Sequence, residues 1–178
     1  YLPSDEESEH CATLLQWDNI YYQPPTDSYV DRKPTVRIGL VQWQMRPYAS
    51  VDDLFEQVEF FVDSVSDYKS DFILFPEYFN APLMARFNDL GEAQSIRKMA
   101  QYTEEIRDRF RELAISYNIN IITGSMPYLK DDSLYNVGFL CRRDGSVDMY
   151  EKIHVTPDEQ KCWGLSGGSH IQTFDTDC

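Results

Sequence analysis

The sequence predicts an α/β domain built on a parallel β-sheet, and three stretches indicate this class. Residues 35–43 (TVRIGLVQW) and 72–77 (FILFPE) are short apolar runs, the pattern of strands that are buried on both faces. Between them, residues 51–65 carry apolar side chains at helical spacing. A strand, an amphipathic helix and a second strand of these lengths form a βαβ unit, which has parallel strands and a right-handed crossover.

The remaining elements of this unit are predicted from their boundary residues. Ser50 is expected to cap the first helix, with Asp53 at the capping-box position. A second helix is expected to have Thr103 as its N-cap and Asn118 just beyond its end. Residues 119–124 (INIITG) are then expected to form a third buried strand, which completes a β-α-β-α-β order.

After this third strand the pattern changes to that of antiparallel strands. Residues 134–141 and 146–152 are predicted to form a hairpin that is connected by Arg-Arg-Asp-Gly at 142–145, because Asp-Gly between two strands favours a tight turn. A loop is expected from Val155 onward, and residues 170–174 are expected to begin a further strand.

Composition narrows the classes of function. The 178 residues are 42% hydrophobic and carry a formal net charge of −14, which disfavours nucleic acid and anionic membrane surfaces as partners. No apolar run is long enough to span a bilayer, and no signal-peptide pattern is present. The three histidines are scattered and the four cysteines form no C-x-x-C pair, so we expect no metal, no cofactor and a reduced, cytoplasmic setting.

The first 34 residues differ from the rest of the chain. An acidic run is followed by aromatic residues interspersed with prolines, and neither a helical nor a strand period holds across the segment. Residues 1–34 are therefore predicted to be an N-terminal arm or linker, and residues 35–178 to be the folded domain.

Two predicted strand ends carry residues suited to acid–base chemistry. Pro76 cannot donate to a sheet, so the strand must end there and deliver Glu77 at its tip, where open α/β sheets bind their ligands. Aromatic neighbours should desolvate this carboxylate and raise its proton affinity toward that of a general base. Lys152 follows the second hairpin strand in the same way. A solvated glutamate and a solvated lysine remain the simpler alternatives.

Four stretches, in this order, resemble the carbon-nitrogen hydrolase (nitrilase) superfamily. They are VRIGLVQWQM, FILFPE, NIITGSMP and LYNVGFLCRRDGSVDMYEKIH. The resemblance implies a four-layer αββα sandwich, of which residues 35–178 would be the N-terminal portion, truncated at its C-terminus. It also implies amidase-like hydrolysis of a small amide, nitrile or N-carbamoyl compound, a Cys-Glu-Lys triad and a homo-oligomer in the intact protein.

The resemblance also suggests a role for each of three side chains. Glu77 corresponds to the general base, and Lys152 to the cation that faces the oxyanion of the tetrahedral intermediate. Glu159 is the candidate for a second glutamate that many members use to position the substrate. Glu151 is the weaker candidate, because it should lie on the opposite face from Lys152.

The nucleophile is the feature that departs from the family pattern. The family's cysteine ends a strongly apolar strand, and no cysteine here has that context; the four are Cys11, Cys141, Cys162 and Cys178. The nucleophile is therefore expected beyond residue 178, with Cys178 and then Cys162 as weaker candidates, and this chain alone is expected to be inactive. Two alternatives stay open, namely a non-catalytic binding or assembly module and an acyl transferase with the same triad. A fused domain upstream of residue 35 is a further alternative.

Overall fold

In the computed structural model, residues 35–178 are described, and they form a six-stranded mixed sheet with helices. The predicted arm at residues 1–34 lies outside the described residues. The strands are β1 (Ile38–Leu40), β2 (Phe72–Leu74), β3 (Asn120–Lys130), β4 (Ser133–Cys141), β5 (Val147–Glu151) and β6 (Leu165–Ser166). The α-helices are α1 (Val51–Asp67), α2 (Glu92–Met99) and α3 (Thr103–Ser116). Shorter helical segments are the 3₁₀ turns Ala81–Phe87 and Ala100–Tyr102 and the π-helical turn Glu159–Trp163.

The parallel half of the sheet has the predicted β-α-β-α-β order. Strands β1, β2 and β3 are neighbours and run parallel, with Phe72 in register with both Ile38 and Asn120. Helix α1 connects β1 to β2, and the α2–α3 segment connects β2 to β3. Sheets of this kind bind their ligands beyond the carboxyl ends of the parallel strands. In this chain those ends lie after Leu40, after Leu74 and after the parallel part of β3.

The antiparallel half contains one predicted hairpin and one that the sequence analysis missed. Strand β3 runs six residues beyond the predicted end at 124 and turns directly into β4 at Asp131 and Asp132, whose φ angles are 49° and 61°. Two consecutive residues with positive φ are the signature of a tight hairpin turn, and Asp tolerates that conformation. The predicted hairpin between β4 and β5 also forms, with Gly145 at φ 85°, but its first pair is Cys141 with Val147, one residue later than a turn at 142–145 implies.

The main core lies between the sheet and helices α1 and α3. Phe110 of α3 is fully buried, and its ring centroid lies 5.2 Å from Phe55, 5.1 Å from Phe75 and 5.6 Å from Phe79. Burying side chains of this size contributes about 1.5–3 kcal/mol each. This cluster fixes the segment on either side of Glu77, because Phe75 and Phe79 flank it in the chain.

The other face of the parallel strands is only partly covered within residues 35–178. Ile38 and Leu40 are 57% and 73% exposed, and Phe72 and Leu74 are half-buried. The expectation that the FILFPE strand is buried on both faces is therefore wrong for the described part of the chain, since α1 and α3 cover one face alone.

The start of α1 is capped as the sequence predicts. The Ser50 hydroxyl accepts a hydrogen bond from the Asp53 backbone N–H at 3.1 Å, and the Asp53 carboxylate accepts one from the Ala49 N–H at 3.0 Å. Both bonds satisfy backbone donors that the helix itself leaves free.

The predicted N-cap of α3 is wrong. Thr103 is already inside the helix, and its buried hydroxyl donates to the Pro127 carbonyl of β3 at 2.5 Å. A tertiary contact with the neighbouring strand thus replaces the expected cap. At the other end of α3, Asn118 has φ 50°, as expected for a residue just past a helix.

The strand predicted at residues 170–174 is also absent from the structure, where residues 167–178 have no regular secondary structure. A short strand forms earlier instead, because Leu165 and Ser166 pair in parallel with Leu134 and Tyr135. No helix in the described part of the chain is both long and apolar enough to cross a bilayer.

Candidate active site

A sharp turn after β2 presents Glu77 at the sheet edge. The Phe75 N–H still donates to the Ile122 carbonyl at 3.0 Å, but Pro76 has no N–H to continue the ladder. Tyr78 then adopts φ 54°, and its N–H donates to the Ser125 carbonyl at 2.7 Å. Positive φ in an aromatic residue is strained and local packing must hold it there, so the turn is a fixed feature of the site.

Gly124 makes this turn sterically feasible. Its φ is 73°, and a Cβ atom at this position would lie 2.1 Å from the Pro76 carbonyl oxygen. The register of β3 against β4 shifts between Ile122 and Ser125, which is a bulge beneath the end of β2. The missing side chain therefore lets the end of β2 approach β3 closely.

Lys152 is fixed through its backbone immediately after β5. Its N–H donates to the Asn136 carbonyl of β4 at 2.9 Å, and its own carbonyl accepts from the Gly168 N–H at 2.9 Å. The side chain is 25% exposed. The N–H and the carbonyl of Lys152 thus both have hydrogen-bond partners, which restricts where the ammonium group can reach.

The structure brings the three predicted site residues together. The Lys152 Nζ lies 2.9 Å from Glu77 Oε1 and 2.9 Å from Glu159 Oε1. One ammonium group therefore bridges two carboxylates that are 82 residues apart in the chain, since 159 minus 77 is 82. Both hydrogen bonds join charged groups, so one cation and two anions are held next to each other.

Glu159 is the most deeply buried of the three, at 4% exposure. Its Oε1 also accepts from the Tyr78 hydroxyl at 2.9 Å, and its Oε2 accepts from the Thr156 N–H at 2.7 Å. Burial by itself would raise the pKa of Glu159, but hydrogen bonds from Thr156, Lys152 and Tyr78 outweigh it and hold the pKa below its ordinary value. Glu159 is therefore anionic at neutral pH.

The partners of Glu159 are shifted in the complementary direction. Burial would lower the pKa of Lys152, but hydrogen bonds and charge attraction from Glu159 and Glu77 raise it overall. Burial, followed by the hydrogen bond to Glu159, raises the pKa of Tyr78 well above its ordinary value. Lys152 therefore stays a cation and Tyr78 stays a hydrogen-bond donor.

The expectation that aromatic rings surround Glu77 is wrong. Its side chain is 49% exposed rather than enclosed by rings, because the turn at Tyr78 directs the aromatic side chains into the core and Glu77 out of it. Asn136 of β4 donates from Nδ2 to Glu77 Oε1 at 2.7 Å. This contact was not predicted, because it depends on the register of the β4–β5 hairpin.

The cysteines among residues 35–178 lie away from this cluster or face solvent. Cys141 is fully buried, burial raises its pKa to about 12, and its thiol donates to the Arg107 carbonyl at 3.9 Å. Cys162 is exposed in the π-helical turn. Cys11 lies outside the described residues.

Cys178 lies at the opposite edge of the sheet from Glu77. Its Sγ is 3.9 Å from the Asn120 Nδ2, and Asn120 pairs with Phe72 at the start of β2. Five residues of extended chain separate Phe72 from Glu77, or about 16 Å at the rise of a strand. Cys178 therefore does not contact Glu77 in this structure.

The arginines of the hairpin turn have more specific partners than the turn alone would require. Arg142 Nη2 lies 2.6 Å from the Asp148 carboxylate, and Arg143 Nε lies 3.1 Å from the Asp177 carboxylate. Asn120 Nδ2 also donates to Asp177 at 3.0 Å. These contacts fix the end of the described chain to the sheet edge opposite Glu77.

A cavity of about 590 Å³ is lined by segments that follow β1 and β2 in the chain. One wall comes from residues 45–47, which follow β1. The other wall comes from the 3₁₀ turn Ala81–Phe87 and from residues 88–95, which follow that turn. The lining is mainly apolar, with Arg46 and Glu92 as its charged members. Within residues 35–178, no group of three or more His, Cys, Asp or Glu side chains is arranged to hold a metal ion.

This chain belongs to the carbon-nitrogen hydrolase family, whose model, described as "Carbon-nitrogen hydrolase", matches residues 37–178. It is 40% identical over 179 residues to "Probable hydrolase YhcX" of Bacillus subtilis, covering 100% of this chain and 35% of that protein. It is 27% identical over 107 residues to "Hydrolase in agr operon" of Staphylococcus lugdunensis, covering 59% of this chain and 43% of that protein. The chain thus spans less than half the length of each of these relatives.

Solved structures of the nitrilase superfamily share this fold. Nit3 of Saccharomyces cerevisiae, described as a member of branch 10 of the nitrilase superfamily, has a TM-score of 0.62 at 21% identity, over 79% of this chain and 51% of Nit3. A carbon-nitrogen hydrolase from Helicobacter pylori has a TM-score of 0.62 at 17% identity, over 75% of this chain and 45% of that chain. The α/β fold class and the family assignment from the sequence are therefore confirmed, with the chain covering part of the neighbours' fold.

Proposed function

We propose that the protein hydrolyses a non-peptide carbon–nitrogen bond in a small amide, nitrile or N-carbamoyl compound. The observation that carries this proposal is the Lys152 ammonium group held 2.9 Å from both Glu77 and Glu159. Family membership and the 40% identical Bacillus relative with a hydrolase name support the same reaction class. An amide is the preferred substrate class because amidase activity is the commoner one in the family that the chain resembles.

In the first half-reaction, Glu77 takes the proton from a cysteine thiol, and the resulting thiolate attacks the substrate carbonyl carbon. Negative charge then develops on the carbonyl oxygen. The Lys152 ammonium is already held in place and stays cationic, so it can stabilise this oxyanion without reorganising. Glu77 next returns the proton to the leaving nitrogen, which departs as ammonia or an amine and leaves a thioester.

In the second half-reaction, Glu77 accepts a proton from water, and the hydroxide attacks the thioester carbonyl. Collapse of that intermediate breaks the carbon–sulfur bond, releases the carboxylic acid and returns the proton to the thiolate. The carboxylate of Glu77 and the thiol are thus both regenerated. The half-exposed position of Glu77 suits this role, because water and substrate must both reach it.

The nucleophile in this proposal comes from outside residues 35–178. Cys141 is buried beside Arg107 and Cys178 contacts Asn120 at the other sheet edge, so neither has a hydrogen bond to Glu77 or Lys152. Cys162 is exposed and lacks the apolar strand that precedes the family's cysteine. A proton transfer to Glu77 needs hydrogen-bond distance in the complex that reacts.

Glu159 has a positioning role in this scheme. Its carboxylate accepts from Lys152, Tyr78 and Thr156, so its oxygens are engaged with the protein. We propose that the main role of Glu159 is to hold the ammonium group of Lys152 toward Glu77. A contact between Glu159 and the substrate would add to this role and is not required for it. The resembled family's second glutamate would then act partly through the lysine.

The test is ammonia release by the full-length protein, which includes the nucleophile, from a panel of short aliphatic amides, nitriles and N-carbamoyl amino acids. Lys152→Met should lower kcat/KM by about 100- to 1,000-fold, the cost of losing one oxyanion-stabilising group. The matched control is Lys130→Met, because Lys130 forms a looser pair with Glu151, at 3.9 Å, near the same strand end. Equal rates for the two lysine variants would contradict the proposed role of Lys152.

A further inference from the structure

A fully buried asparagine is attached to both halves of the charged cluster. Asn136 Nδ2 donates to Glu77 Oε1 at 2.7 Å, and the Asn136 backbone carbonyl accepts from the Lys152 N–H at 2.9 Å. Asn136 itself is 0% exposed. It is therefore the residue of β4 through which the positions of Glu77 and Lys152 are linked.

The geometry of the hairpin explains how two donors reach one oxygen. Val137 is in register with Glu151, and the next positions along the hairpin set Asn136 beside Lys152. Residues opposite each other in an antiparallel pair project their side chains from the same face. The amide of Asn136 and the ammonium of Lys152 accordingly converge on Glu77 Oε1, at 2.7 and 2.9 Å.

This arrangement makes the two oxygens of Glu77 unequal. Both side-chain donors end on Oε1, and no hydrogen bond within residues 35–178 ends on Oε2. A general base needs one oxygen free to accept a proton while the carboxylate is held in a single orientation. The side of Glu77 that is free to receive a proton is thus defined by Asn136 and Lys152 together.

A role in packing alone would be a poor use of this side chain. The Oδ1 of Asn136 is buried and has no hydrogen-bond partner within the described residues, which is unfavourable. An aliphatic side chain at the same position would avoid that loss. The hydrogen bond to Glu77 is the feature of Asn136 that an aliphatic residue could not supply.

We propose that Asn136 is a positioning residue that orients Glu77, so that Oε2 receives the proton of the nucleophile. The inference rests on the proposed hydrolase function. Asn136 acts through Glu77 and touches no reacting atom. Its loss should therefore affect turnover more than substrate binding.

The kinetic test uses Asn136→Ala and Asn136→Ser with propionamide as the probe. We expect kcat to fall about 10- to 100-fold in Asn136→Ala with KM unchanged within about twofold, because a misoriented base lowers the productive fraction. Asn136→Ser, whose hydroxyl can still donate, should recover part of the lost kcat.

The matched control is Asn120→Ala. Asn120 is also fully buried, but it bonds to Asp177 at the opposite sheet edge. This variant should lose stability while keeping the wild-type kcat. A fall in kcat that is equal in Asn120→Ala and Asn136→Ala would reduce Asn136 to a structural residue and overturn the proposal.

A spectroscopic comparison that leaves Asn136 in place covers the cases in which an Asn136 variant does not fold or propionamide is not hydrolysed. The Asn136 side-chain amide signals, followed by ¹⁵N NMR, should shift when Glu77 is replaced by Gln, and signals that ignore this replacement would overturn the proposal. The two proposals fail separately. Wild-type turnover in Glu77→Gln would reject the hydrolase mechanism, whereas an inactive Glu77→Gln beside an unaffected Asn136→Ala would reject the role of Asn136 alone.

Discussion

Removing the hydroxyl of Tyr78 tests how strongly the buried carboxylate of Glu159 is held. In Tyr78→Phe, Glu159 Oε1 loses the donor at 2.9 Å but keeps Lys152, and Oε2 keeps Thr156. Hydrogen bonds to charged groups contribute about 1.5–3 kcal/mol, and the remaining partners put the expected loss near the lower end, about 1.5 kcal/mol. Chemical denaturation at pH 7 measures this loss as a change in the free energy of unfolding.

The chain offers a matched control in Tyr117→Phe. The Tyr117 hydroxyl donates to Glu59 Oε1 at 2.8 Å, which is the same kind of bond, but Glu59 is exposed on α1. Water replaces a lost partner at the surface, so Tyr117→Phe should cost less than about 0.5 kcal/mol. Equal losses in the two variants would refute the claim that burial of Glu159 makes the Tyr78 bond stronger.

The pH dependence of the Tyr78→Phe effect has a defined sign. The pKa of Glu159 is held below its ordinary value of 4.5, so the stabilisation from its ionised form is present above pH 4.5 and is lost as pH falls through the folded-state pKa. The stability difference between wild type and Tyr78→Phe should therefore be constant near neutrality and narrow in acid. A difference that widens on acidification would contradict the assignment of Glu159 as the anionic partner.

Two further predictions, made with three variants, test the turn beneath Glu77 and the start of α1. Gly124→Ala should destabilise the protein by at least about 3 kcal/mol in denaturant unfolding, because its φ is 73° and its Cβ would meet the Pro76 oxygen at 2.1 Å. Gly91→Ala, whose Cβ would meet nothing within 4 Å, should cost at most about 0.5 kcal/mol, and a similar loss in both would refute this explanation. Ser50→Ala should lower the unfolding free energy by about 1 kcal/mol through loss of the bond to the Asp53 N–H, and an unchanged midpoint would show that the cap is dispensable.

The parallel half of the fold was predictable because its signals are local. Apolar runs mark β1 and β2, and the period of α1 and its cap at Ser50 are written in adjacent residues. Glu77 and Lys152 could be placed at strand ends for the same reason. Their contact with each other depends on tertiary structure, and the family resemblance supplied the reason to pair them.

The features that the sequence analysis missed depend on register and on contacts between distant segments. A four-residue connection at 142–145 would set Lys152 opposite Tyr135, whereas the actual pairing of Cys141 with Val147 sets it beside Asn136. A shift of one residue exchanges the two faces of a strand, so the partner of Glu77 could not be chosen from the pattern alone. Thr103 was misassigned for a related reason, because its hydroxyl bonds to a strand that is distant in sequence.

The most direct test of the central claim compares Glu77→Gln with Glu151→Gln in the ammonia-release assay. Both variants replace a glutamate near Lys152, but Glu77 bonds to it at 2.9 Å whereas Glu151 pairs with Lys130. The account predicts a fall in kcat/KM of about 100- to 10,000-fold for Glu77→Gln, the usual cost of losing a general base, and near wild-type rates for Glu151→Gln. Glu77→Gln with the turnover of Glu151→Gln would contradict the account.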